Sequence, residues 1–176
     1  LADAEPIPEN RTAPRDLLTA QGIDAAESDG LFARMPAESF LRERAEQLAW
    51  QAAALRDTAP GDTVVRVGEL AGHTGAFEVF VHSPDRDGLF ASIVITLDRL
   101  LDLAFQQARA LDGPGGTIFD SFEVVNADPR YAPGVAQIER SLAAALSGPL
   151  ESIRPSRRTQ PRHLRHFRIA PQIAFD

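Results

Sequence analysis

The stretch "HSPDRDGLFASIVITLDRL", His82 to Leu100, gathers three Asp, two Arg, a Pro and a Gly ahead of and within an apolar, helix-periodic run. It follows the strand-like run "AFEVFV", so the chain reads strand, tight polar loop, helix. Backbone N–H groups that open a helix attract a carboxylate or another anion. Gly88 lets a ligand come close to the backbone, and Asp85 and Asp87 can meet an ammonium group. Together these are the parts of a small-molecule binding loop. The competing reading is local, because an Asp beside a helix start also serves as a simple cap.

Catalytic constellations are not found elsewhere. The four histidines, His73, His82, His163 and His166, have no metal-ligand spacing, and in a strand His163 and His166 would point to opposite faces. There is no His-Asp dipeptide, phosphate-binding loop or nucleophile elbow. Asp120 and Glu123 on one strand would face opposite ways and form no acid–base pair. With no cysteine, disulfides and thiolate chemistry are excluded. No catalytic and no metal-binding residue is assigned, and no cofactor is expected in this chain. A second function class comes from "RPSRRTQPRHLRHFR", where six of the 18 Arg fall without an acid among them. Such a run suits nucleic acid. It has only Phe167 as an aromatic, however, and the rest of the chain sets 12 Arg against all 25 Asp and Glu, which repels a polyanion. A solvated linker lying across an acidic body is the simpler reading.

The elements that must hold the loop follow from periodicity. Residues 1–10 have no period and read as an extended arm. Helices are expected over "APRDLLTAQGI" up to Gly22, over "AAESDGLFARM" with Asp24 as cap, and continuously over 37–56. In that last helix Phe40, Leu41, Leu48, Ala49 and Ala52 are inward, and Arg42, Glu43, Arg44 and Glu46 face water. The turn "DTAPGD" at 57–62 divides a helical segment, 1–60, from a second unit, 61–176. Strands are expected at 63–67 and 77–82 across a hairpin signal. A helix from Gly88 carries Leu89, Phe90, Ile93, Val94, Leu97, Leu100 and Leu101, and strands at 103–111 and 117–125 flank "DGPGG". A helix at 133–146, an Arg-rich connection at 149–163 and a last strand at 164–175 complete the set. The longest apolar run is far short of the roughly 20 residues that span a bilayer, so no membrane association and a cytoplasmic location are expected. The start at Leu1, with Met35 the only methionine, reads as a piece of a longer protein.

From 76 onward the order is strand, helix, strand, strand, helix, strand. This is an α+β, ferredoxin-like βαββαβ antiparallel sheet with two helices on one face, preceded by the small helical segment. That order, with "VFVHSPDRDGLFASIVITLDRL", "LAFQQARAL" and "GTIFDSFEVV", resembles an ACT domain, a regulatory module that binds amino acids. Its loop motif, Asp-x-x-Gly-Leu-(Leu/Phe), begins at Asp85. The flanks "SFLRERAEQLAWQAAAL" and "RRTQPRHLRHFRIAPQIAF" are similar to the region between the HD domain and the second ACT domain of the bifunctional PII uridylyltransferases and uridylyl-removing enzymes.

The resemblance implies a parent that uridylylates the PII nitrogen-signalling protein with UTP and Mg, removes UMP by hydrolysis, and senses glutamine through paired ACT domains. It carries an effector site over to Asp85, Asp87, Gly88, Leu89 and Phe90. It implies glutamine, PII through the parent enzyme, and a second ACT domain or a homodimer as partners. It carries over no catalytic residue, since the family's catalytic motifs are absent, and the chain alone is expected to be no enzyme. A non-catalytic interaction scaffold stays open beside the sensor. Two departures stand out. Leu101-Asp102 occupies a turn that such domains often make on Gly or Asn, and the strands at 63–67 and 164–175 compete for the sheet edge beside 77–82.

Overall fold

A computed structural model describes residues 7–128, 130 and 133–150. Helices α1 (Ile7–Ala20), α2 (Ala25–Phe32), α3 (Ser39–Arg42) and α4 (Ala45–Leu55) come first. Strands β1 (Val64–Glu69) and β2 (Ala76–Pro84), helix α5 (Leu89–Ile95) and a π-helical turn (Thr96–Leu100) follow. Then come β3 (Leu103–Gly113), a 3₁₀ turn (Pro114–Gly116), β4 (Thr117–Asn126) and α6 (Val135–Leu146). No helix among the described residues is long and apolar enough to cross a membrane.

The four strands form one antiparallel sheet in the order β1-β2-β4-β3. Alternation along each strand sends side chains to two faces, and both faces are covered. Val65, Val67, Phe77, Val79, Val81, Phe122 and Val124 meet Leu89, Ile93 and Leu97 of the α5 segment and Ile138, Leu142 and Leu146 of α6. On the other face Val64, Phe80, Leu111 and Phe119 meet Leu18, Phe40, Leu48, Ala52 and Leu55 of the α1–α4 layer. The fold is α+β and ACT-like, with two helices on one face as expected and the helical segment packed as a third layer on the other.

The contest for the edge beside β2 goes to the earlier strand. Val64 pairs with His82 and Glu69 with Phe77, so β1 fills that edge. A hairpin joined by a short turn closes at low entropic cost, which favours it over a strand arriving from far along the chain. The strand expected at 164–175 and most of the Arg-rich connection lie outside the described residues.

Three local expectations are corrected. The extended arm yields to helix from Ile7, since a Pro in the first helical turn loses no intrahelical bond; residues 1–6 lie outside the described set. The continuous helix at 37–56 is two helices, because Glu43 turns extended (φ −96°, ψ 154°) and Arg44 becomes the cap of α4. That break turns Glu43 inward: its side chain is 3 % exposed and meets Arg109 Nη1 at 2.5 Å. Leu41 is left 74 % exposed. Finally, Leu100 faces solvent at 67 % exposure while Leu97 and Leu101 are buried. The π turn, closed by Leu101 N–H donating to Thr96 O at 3.1 Å, inserts one residue and rotates Leu100 off the buried face.

Asp24 caps α2 as expected, its carboxylate accepting from Glu27 N–H at 2.8 Å. At the helix-to-strand turn Asp102 takes φ +56°, a region that Asp tolerates better than most residues, and its carbonyl accepts from Ala127 N–H at 3.3 Å.

Candidate functional site

The loop between β2 and α5 is built from its ends inward. Buried Ser83 donates to Pro84 O at 2.9 Å and stands 3.1 Å from Thr63 Oγ1, whose hydroxyl then donates to Ser83 Oγ. Asp85 N–H donates to Gly116 O at 3.0 Å, tying the loop to the β3–β4 turn. Leu89 N–H donates to Arg86 O at 3.1 Å, closing a turn over residues 86–89. Gly88 holds φ 84°, ψ 0°, a left-handed conformation that a side chain would strain. Its carbonyl accepts Ser92 N–H at 2.9 Å and starts α5.

The five residues singled out by the loop motif divide by environment. Asp85 and Asp87 lie exposed on the rim and Gly88 forms the turn between them and the helix. Leu89 is 1 % exposed and belongs to the core under α5. Phe90 is half-buried, with its ring 6.0 Å from that of Phe122. The loop therefore presents Asp85, Asp87 and Gly88 to solvent, while Leu89 and Phe90 anchor it.

Arg86 was not singled out in the sequence. It reaches across to the end of α6, where Nη1 donates to Gly148 O at 3.2 Å and Nη2 to Leu146 O. The only signal for it was its place between two acids, because its acceptors lie some 60 residues further along the chain.

A second polar group lies between the sheet and the α3–α4 segment. Besides the Glu43–Arg109 pair, Gln47 Nε2 donates to Glu78, and Arg44 Nη2 stands 3.6 Å from the same carboxylate. Burial pushes the Glu78 carboxyl up from its ordinary range; Gln47 and Arg44 pull it back, and Glu123 and Glu43 push it further up. Gln51, Ser121 and Glu123 border the same small cavity, which holds about 10 Å³, barely one water. His82 is 4 % exposed on the same face. Its Nδ1 lies 3.0 Å from Ile118 O, so the neutral ring carries its proton there. Burial lowers its basicity; the Ile118 bond partly opposes this and Arg34 adds to it. Among the described residues no three His, Asp or Glu side chains converge as a metal site.

Sheet, helices and loop define an ACT-like module with a helical layer behind it. Comparison with known sequences places it. Residues 2–54 match the family model described as "Uridylyltransferase GlnD fifth domain". Over 97 % of its length the chain is 48 % identical to a bifunctional uridylyltransferase/uridylyl-removing enzyme of Xanthomonas campestris pv. campestris (strain B100), covering 20 % of that protein. It is 49 % identical over the same shares to the Xanthomonas axonopodis pv. citri (strain 306) enzyme, and 28 % identical to that of Azotobacter vinelandii. The chain is thus homologous, over nearly its whole length, to a region of the bifunctional uridylyltransferase/uridylyl-removing enzymes, and spans about a fifth of their length. No solved structure matches.

Proposed function

We propose that this chain is the regulatory, amino-acid-sensing module of an enzyme that adds UMP to, and removes it from, the PII nitrogen-signalling protein. The effector is of the glutamine class and sits at the Asp85–Gly88 loop, with Leu89 and Phe90 fixing the loop to the core. The observation that carries this reading is the loop itself. Gly88 in a left-handed turn and two exposed carboxylates stand at the junction of β2 and α5, held at one end by the β3–β4 turn. An ammonium group suits Asp85 and Asp87, and the glycine backbone admits close approach.

UTP, Mg and the bond-making and bond-breaking residues belong, on this reading, to other parts of the parent enzyme. The turn at 57–62 marks the junction between the helical segment and the sensor, and a second ACT domain or another copy of the chain is its natural neighbour. The alternative, a scaffold that binds only protein, draws on the α1–α4 layer, which covers a whole sheet face.

Calorimetric titration of glutamine into the chain separates the two. Saturable heat that disappears in Gly88→Val supports the sensor. Absence of heat rejects glutamine as the effector, and equal affinity in wild type and Gly88→Val rejects the site. Incubated with UTP, Mg and PII, the chain alone is expected to transfer no UMP, and labelled PII would contradict the division of labour proposed.

A further inference from the structure

We infer that Arg86 is a latch that couples the Asp85–Gly88 loop to the last turn of α6, so that a carboxylate-bearing effector at the loop is read out where the chain leaves that helix. The inference rests on the sensor reading for the identity of the site, but the coupling itself is a property of the fold.

The final carbonyls of a helix lack intrahelical donors and carry partial negative charge, which a nearby cation satisfies. Helix α6 has no basic residue in its own last turn. The cation comes instead from the loop: Arg86 donates to Leu146 O, inside that turn, and to Gly148 O just beyond it. Among the described residues Ser147 meets Ala144 O, through its N–H at 3.4 Å and its hydroxyl at 3.0 Å. Among the described residues both side-chain hydrogen bonds of Arg86 therefore go to neutral carbonyls.

An ionised acceptor makes a hydrogen bond roughly twice as strong as a neutral one. A ligand carboxylate brought to the loop by Asp85, Asp87 and the Gly88 backbone therefore competes well for the guanidinium. When it wins, Leu146 and Gly148 turn to water and the last turn of α6 loosens. The other side of α6 is held separately, by Glu139 accepting Val67 N–H at 2.9 Å, so release is confined to the C-terminal end.

Hydrogen exchange of the whole chain, followed over residues 142–148, tests the coupling whatever the effector. Arg86→Met should speed exchange there by about tenfold, the effect of losing a hydrogen bond from a charged donor, and Arg86→Lys should restore part of it. Gly88→Val, which disturbs the loop at a position outside α6, should also speed exchange, but not when added to Arg86→Met. Unchanged exchange in Arg86→Met, or independent effects of the two substitutions, overturns the latch. Glutamine binding by calorimetry without faster exchange at 142–148 overturns the read-out and leaves the sensor standing. Absence of glutamine binding rejects that effector, while the two substitutions still decide the coupling.

Discussion

The two faces of the sheet are covered by helices in different ways. Under α5 and α6 the contact is nearly all carbon, from Val65 and Val67 at one edge to Leu103 and Phe105 at the other, and Phe122 sits between Phe90 and Phe105. Asp120 and three hydroxyl residues, Ser83, Ser92 and Thr96, are the buried polar exceptions there. Under α1–α4 the apolar contact centred on Phe80 and Phe119 covers only part of the face, and Glu43, Gln47, Gln51, Glu78 and Arg109 take over the rest. Apolar area is non-directional and supplies most of the favourable free energy. Paired polar groups add little net stability but penalise any other placement of the helices. The first face holds the fold together, and the second sets how the helical layer sits on it.

The largest expected effect attacks the carbon face. Phe122→Ala should destabilise by about 3–5 kcal/mol, measured as the loss in urea unfolding free energy. A change below about 1 kcal/mol would mean that this face is not the main source of stability.

Next comes the polar face. Glu43→Ala leaves Arg109 facing a buried site without its carboxylate, and should cost about 3 kcal/mol, the low end for a broken buried pair because Arg109 is 24 % exposed. Replacing both partners, Glu43→Leu with Arg109→Met, should recover most of that loss. Equal damage from the single and the double change would show that the pair contributes packing rather than orientation.

Protonation should separate the faces further. His82 has its folded pKa depressed below 6.5, mainly by burial, so the folded state binds fewer protons than the unfolded one. Its contribution is present above pH 6.5 and is lost as pH falls through the folded value. His82→Asn keeps a donor for Ile118 O and should flatten the dependence of the urea midpoint on pH below 6.5. Glu78 has the opposite sign: its raised folded pKa gives a contribution that is lost as pH rises through that value. Glu78→Gln should therefore be neutral or stabilising at about pH 7. A midpoint equally steep with pH in wild type and His82→Asn would remove His82 from this account.

The smallest effect lies at neither face. Asp102 sits at φ +56°, and Asp102→Gly should raise stability by up to about 1 kcal/mol by relieving that conformation, read as a small rise in thermal midpoint.

The carbon face was largely legible in the sequence. Period-two runs and Gly turns marked β1–β2 and β3–β4, and the stripe Val135, Ile138, Leu142 marked α6. The candidate loop was legible as strand, turn and helix, and Gly88 as its pivot. The polar face was not. Glu43 read as a surface residue because nothing local reveals that Arg109, 66 residues away, awaits it. Leu100 read as buried because a π turn leaves no periodic trace beforehand. Arg86 looked like one charge among several until its acceptors on α6 came within reach. Periodicity reports which way a side chain points along its own element, and pairings across the chain depend on the packed arrangement.

The edge taken by β1 also bears on how the sheet forms. Two of the three strand pairings, β1 with β2 and β3 with β4, are hairpins between neighbours in the chain. Only β2 with β4, where Phe77 meets Val124, must bring distant segments together. A sheet assembled from two hairpins and one long-range pairing needs fewer non-local pairings than one whose β2 edge waits for a distant strand, which favours faster folding. All four strands of the described sheet precede α6 in the chain. Among the described residues, only α6 must then arrive to complete the cover over the face it shares with α5.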